Sequence, residues 1–155
     1  MRHIIAQRAA ALLSDNADAQ RLMTIPGIGP ATALTVMAEA GDLRRFAHHR
    51  QFLAFCGMNL STRQSGRFRG QSRLSKYGNA RLRTAFWMAA QSAVRMRDNS
   101  FRRKFDRYLR TNPGDVDLRR KAYVAVAAKL ARVVHGLVKT GTDYRPFFEE
   151  AIPGG

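Results

Sequence analysis

Apolar residues recur at three- and four-residue intervals over most of the chain, the repeat of helices that bury one face. Segments that alternate apolar and polar residues, as a half-buried strand would, are scarce. The pattern predicts an Ala/Leu-rich helix over Ile4 to Leu13, a short helix over Asp18 to Met23, and a longer one from Pro30 to Ala40, stopped by Gly41. Further helices are expected over Arg50 to Cys56, Ala80 to Met96, Phe101 to Leu109 and Leu118 to Val138. Asn79 is placed to cap the first turn of the 80–96 helix, Thr111-Asn112-Pro113-Gly114 breaks the chain after Leu109, and Gly141 ends the last helix. Two segments break the pattern. Thr24 to Pro30 holds two glycines and two prolines and must turn tightly. Asn59 to Gly78, with Gly66, Gly70, Gly78 and four serines, has no helical stripe and reads as an extended loop or loose hairpin. The fold class expected is therefore all-α, with two helices joined by a tight hairpin, one basic loop and a C-terminal helical bundle.

Length and apolar content agree with one domain that has a true core: 155 residues, 45% hydrophobic. The longest apolar runs, such as Ala31 to Ala40, are far shorter than the ~20 residues of a membrane span. The single cysteine, Cys56, excludes an intramolecular disulfide and suits a reducing, cytoplasmic setting; its apolar neighbours make it a buried structural thiol.

Charge changes the picture most. The chain carries 27 Lys and Arg against 11 Asp and Glu, a net charge of +16. Residues 61–121 hold 17 of the basic residues and only four acids, Asp98, Asp106, Asp115 and Asp117. Within that block, Ser61 to Arg83 has seven basic residues (Arg63, Arg67, Arg69, Arg73, Lys76, Arg81, Arg83) and no acid. A merely solvated face mixes signs, so the imbalance points to a polyanion, with nucleic acid first and a membrane surface second.

Two constellations carry candidate chemistry. In Ile25-Pro26-Gly27-Ile28-Gly29-Pro30 a glycine turn precedes a helix, leaving backbone N–H groups at a positive helix end where a phosphate oxygen fits. The hydrophobic-Pro-Gly-hydrophobic-Gly order resembles the hairpin of helix-hairpin-helix modules, and on that basis Gly27 and Gly29 are candidate DNA contacts; the alternative is a turn that only packs two helices. The second constellation is Gln64-Ser65-Gly66 followed by Ser75-Lys76-Tyr77-Gly78-Asn79-Ala80-Arg81-Leu82-Arg83. A serine before glycine in a cationic segment is accessible and surrounded by charges that stabilise an incoming phosphodiester. Residue chemistry alone leaves Ser65 a nucleophile or an ordinary turn residue, with the turn residue the more usual case. Phe68, between Arg67 and Arg69, and Tyr77 are candidate stacking residues, whereas Trp87 beside Phe86 and Met88 is expected in the core. His48 and His49 are adjacent and project about 100° apart on a helix, so they do not share a metal easily; His3 and His135 stand alone.

Taken in order, Thr24 to Gly29, Phe46, Phe52 to Gly57, Gln64-Ser65-Gly66 and Leu74 to Arg83 resemble the C-terminal domain of bacterial DEDD insertion-sequence transposases, the recombinases associated with a structured bridge RNA. The resemblance spans about Leu22 to Val94 and continues more loosely to Phe148. It implies a loop serine, here Ser65, attacking a DNA phosphodiester. It also implies that Lys76, Arg81 and Arg83 bind DNA or RNA backbone, and Arg63, Arg67, Arg69, Arg73 and Asn79 are candidate DNA-binding residues beside them. Members of that group pair this domain with a RuvC-like domain whose four acids hold Mg2+. None of the eleven acids here lies in an alternating apolar strand of the kind such a core needs, so no metal site is expected in this chain. The expectation is a truncated or split transposase, binding DNA and in need of a RuvC-like partner, with homo-oligomers and a guide RNA as further partners. The expected division is a helical linker remnant over 1–23, the transposase domain over 24–110 and a C-terminal helix and tail over 111–155.

Overall fold

The computed structural model describes residue 8 and residues 13–58 and 78–145. Its helices are α1 (Ala17–Leu22), α2 (Pro30–Ala40), a 3-10 turn (Leu43–Arg45), α3 (His49–Phe55), α4 (Ala80–Arg95), α5 (Ser100–Leu109) and α6 (Val116–Thr140). The described residues contain no strand, and the fold is all-α. The expected helix over 4–13 and the aromatic tail residues Phe147 and Phe148 lie outside the described residues.

Local sequence explains the boundaries. Asn16, Asn79 and Asn99 each cap the helix that follows by accepting a backbone N–H three residues on, the Asn79 bond to Leu82 N being 3.0 Å. Asp115 caps α6 in the same way, bonding Asp117 N and Leu118 N. At the other ends, Gly41 and Gly141 take positive φ after α2 and α6, conformations that cost a residue with a Cβ. The 3-10 turn was not legible from periodicity. Asp42 caps it, and Arg44 reaches back to Asp18 at 2.8 Å, which holds the Asp18 carboxyl below its ordinary range and ties the turn to α1.

α6 is the axis of the core. Sequence periodicity gives it one apolar side, yet every residue from Ala125 to Ala131 is buried, so the helix is enclosed all round at its middle. Four of those seven are alanines, short enough for α3, α4 and α5 to close on it together. Lys129 lies in this enclosed stretch with its ammonium over the Phe101 ring, 5.5 Å from the centroid. α4 contributes Leu82, Phe86, Ala89, Ala90 and Ala93 to the same core, and α5 contributes Phe101, Phe105 and Leu109. Trp87 is partly buried with its ring on Tyr123, whose ring in turn meets Phe105.

The centre of the packing is aromatic. Phe52 touches Phe46 and Phe86 and lies beside the His135 ring, 6.3 Å between centroids. His135 is buried, and its Nε2–H donates to the Phe46 carbonyl at 2.7 Å. That bond requires the neutral Nε2–H tautomer or the cation, and burial decides against the cation. Desolvation, with Lys139 and His48 nearby, holds the His135 imidazole below its ordinary value against the opposing pull of the carbonyl. His49 is held down too, first by burial and then by His48, Arg132, His135 and Arg50.

These depressed imidazoles fix the sign of a pH effect. Below the ordinary value of 6.5 the unfolded chain takes up protons that the folded chain refuses, so stability is full above that pH and falls as the solution is acidified. Denaturant melts from pH 7.5 down to 5 are expected to show this loss. His135→Gln, which keeps an N–H donor for Phe46, is expected to flatten the slope by up to about 1.4 kcal/mol per pH unit, the limit for one proton. An unchanged slope would show that His135 titrates normally in the fold.

Candidate nucleic-acid interface

The turn between α1 and α2 forms because Ile25-Pro26-Gly27-Ile28 matches a type II turn. Pro26 presets its own φ, Gly27 supplies φ +90, and Ile28 N–H closes on Ile25 C=O at 3.1 Å. Ile25 and Ile28 are both buried beneath it. The two glycines, paired as candidates in the sequence, have different surroundings. Gly27 lies against α4, where an added Cβ would collide with the Ala89 carbonyl and stand 2.9 Å from the Ala93 Cβ. Gly29 caps α2 with extended backbone, has no side-chain cap, and would meet nothing within 4 Å. The open helix end is therefore at Gly29 and Ala31, with Pro30 at the first position, where no N–H is needed. Gly27 is packed against α4 in the described structure.

From this end a trough of about 500 Å3 runs between α2 and α4, lined by Ala31, Thr32, Thr35, Arg81, Thr84 and Met88, among others. The helices are antiparallel: Gly27 meets the last turns of α4, and Glu39 near the end of α2 meets the start of α4. Asn79 does two jobs there. Its Oδ1 caps α4, and its Nδ2 donates to Glu39 Oε1 at 2.9 Å. Arg81, largely exposed, approaches the other Glu39 oxygen at 3.4 Å. The Asn79 bond first, and then Arg81, hold the Glu39 carboxyl below its ordinary range.

Next to Asn79 the chain is closed on itself. A Cβ on Gly78 would overlap the Gly57 backbone, and Asn79 N–H donates to the Phe55 carbonyl at 2.7 Å. Gly57 has φ +75, which lets the chain leave α3 in the direction this contact demands. The segment that starts after Met58 and returns at Gly78 is therefore rooted at one point, between the end of α3 and the start of α4. Ser65, Arg63, Arg67, Arg69, Arg73, Lys76, Phe68 and Tyr77 belong to it and lie outside the described residues. Of the candidate residues, Gly27, Gly29, Asn79, Arg81 and Arg83 are described; Asn79, Arg81 and Arg83 gather at this root, and Gly29 sits at the far end of the trough.

Two further features bear on chemistry. Cys56 is fully buried beside the root, and desolvation pushes its thiol up to about 12, against a weaker opposite effect of Arg83, so it is no nucleophile at neutral pH. His48 Nδ1 accepts Arg50 N–H at 3.2 Å and caps α3. No three His, Cys, Asp or Glu side chains converge on a possible metal among the described residues, and Asp18, Glu39, Asp98, Asp106 and Asp117 are each engaged with an arginine. The described residues thus do not fit a Mg2+ site. None of the described helices is long and apolar enough to cross a membrane.

Residues 19–106 match the model of the "Transposase IS116/IS110/IS902 family". A "Probable family 20 transposase" of Pseudomonas aeruginosa is 37% identical over 133 residues, covering 82% of this chain and 37% of that protein. The "Transposase for insertion sequence element IS1111A" of Coxiella burnetii is 34% identical over 137 residues, 87% of this chain and 36% of that one. The chain belongs to the IS116/IS110/IS902 transposase family. It spans a little over a third of the length of these relatives.

The contrast between the two glycines is directly measurable. Gly27→Ala places a side chain against the Ala89 carbonyl at positive φ and is expected to cost about 2 to 4 kcal/mol in urea unfolding. Gly29→Ala meets open space in an ordinary conformation and is expected to cost less than about 1 kcal/mol. Equal costs would contradict the packing assigned to Gly27.

Proposed function

We propose that this chain is the DNA-binding, serine-bearing part of an insertion-sequence transposase, with Ser65 as the nucleophile on a DNA phosphodiester. The observation that carries the reading is the family match over residues 19–106, which includes the whole segment from Asn59 to Tyr77. The pinned root at Gly57 and Gly78 supports it, because a reactive side chain on a long segment is useful only if its ends are held to a rigid body. The seven basic residues of 61–83, unopposed by any acid, suit the charge of the bound strand. Under the same reading, the α1–α2 turn is a helix-hairpin-helix element and the open α2 end at Gly29 takes a backbone phosphate.

In the reaction, the Ser65 hydroxyl gives up its proton and Oγ bonds to phosphorus. One P–O bond of the strand breaks, and the departing deoxyribose oxygen takes a proton. The phosphoserine ester keeps the bond energy until the hydroxyl of another strand attacks phosphorus and releases the serine. Metal-binding carboxylates come from a RuvC-like domain, not from the acids described here, and a structured guide RNA selects the strands. A second reading, favoured by the open Gly29 end and by Arg81 at the trough, keeps only the grip on phosphates and leaves Ser65 without chemistry.

Ser65→Ala separates the two. In strand-exchange reactions supplied with the RuvC-like domain, guide RNA and Mg2+, the nucleophile reading expects product and covalent protein–DNA adduct to fall by at least about 1,000-fold. DNA affinity is expected to change less than twofold. Strand exchange by Ser65→Ala at the parental rate would remove the serine from the mechanism and leave the binding reading.

A further inference from the structure

We propose that the chain has a second phosphodiester-binding surface, formed by Arg95 and Arg97 at the end of α4 and by the outward side of α5. It rests on the nucleic-acid reading above and adds a location to it. In the sequence the basic residues of 61–121 form one block; in the fold α4 divides them. Arg81 and Arg83 stand at the start of α4 by the root, whereas the other ten basic residues of 95–121 come after its last turn begins. α4 is 16 residues long, which is about 24 Å along its axis. That is about three Debye lengths at physiological salt, so a polyanion held at the root does not neutralise Arg95 and Arg97 from there.

α5 packs against α4 and α6. Gly27 and the trough residues occupy one side of α4, while Trp87 faces Tyr123 on another, and Tyr123 leads to Phe105 of α5. With Phe101, Phe105 and Leu109 buried, α5 turns Arg103, Arg107 and Arg110 outward at the i, i+4, i+7 spacing of one helix face. The row is about 10 Å long from Arg103 to Arg110, enough to meet successive phosphates of a strand.

The neighbouring acids do not balance this row. Asp98 pairs with Arg103 at 3.2 Å, Asp106 lies 3.9 Å from Arg102, Asp117 is shared by Arg120 and Lys121, and Asp115 caps α6. Arg95, Arg97, Arg107 and Arg110 are exposed and have no carboxylate partner among the described residues. Like charges fixed on a packed helix repel one another, and a phosphate backbone relieves that repulsion without any rearrangement of the helix.

The test removes the four charges together, as Arg95→Gln, Arg97→Gln, Arg107→Gln and Arg110→Gln, and measures affinity against salt by fluorescence anisotropy. The probes are duplex DNA and duplex RNA, each long enough to span α4. Each lost phosphate contact lowers the slope of log affinity against log salt by about 0.9 on B-DNA, so a drop of about 2 to 4 is expected, with at least tenfold weaker binding. A drop on DNA alone or on RNA alone supports the surface and names its ligand. Slopes that match the parent on both probes overturn the surface and leave the nucleic-acid reading standing. A parent chain with no salt-dependent binding to either probe overturns both. The four side chains are exposed, so the thermal midpoint is expected to hold; if it does not, Arg107→Gln with Arg110→Gln is read alone, and an unchanged slope there overturns the α5 row.

Discussion

Enclosure of α6 is the constraint on which the rest of this structure depends. A helix buried all round can carry large side chains on few of its faces, since each neighbour must reach its backbone. The alanines at 125, 127, 128 and 131 meet that requirement, and the surrounding helices supply the bulk: Phe52 from α3, Phe86 from α4, Phe101 and Phe105 from α5. A strong polar contact at this centre, His135 to the Phe46 carbonyl, satisfies a backbone acceptor in the short stretch before α3. α3 is thereby fixed against α6 at a known height. Because α3 ends at the root of the serine-bearing segment, the same hydrogen bond helps to set where that root stands.

The scaffold's arrangement also gives the family relationship physical content. The residues matched by the family model run from α1 into α5, and so take in the turn, the trough, the root and much of the ring of helices around α6. α6 itself lies after the matched residues, yet it supplies the surface on which α3, α4 and α5 rest. A domain boundary drawn through the loop before α6 would leave the aromatic faces of α4 and α5 without cover.

Helix ends were the most legible part of the sequence, because capping is a local property: Asn79, Gly41 and Gly141 mark boundaries that the fold uses within a residue or two. The longest helix was found with its boundaries two residues short at each end, and its all-round burial was hidden, since periodicity reports one apolar side and alanine counts weakly on any scale. His135 read as isolated because its partner is a backbone carbonyl 89 residues away, which no spacing rule reaches. The two hairpin glycines looked equivalent in the motif and differ in the fold, because only one has α4 behind it. Likewise the basic block looked continuous until α4 was seen to divide it.

The crossing of Gly57 and Gly78 has a consequence for how such a protein can change over time. Where two backbones touch, the chain between them begins and ends at one place, so the separation of those ends is set by the contact and not by the length of chain between them. Neither glycine of the crossing is replaced cheaply: a side chain at Gly78 would force the two backbones apart, and Gly57 holds a positive φ that a Cβ penalises. The architecture thus rests the exit and the return of residues 59–77 on two residues without side chains.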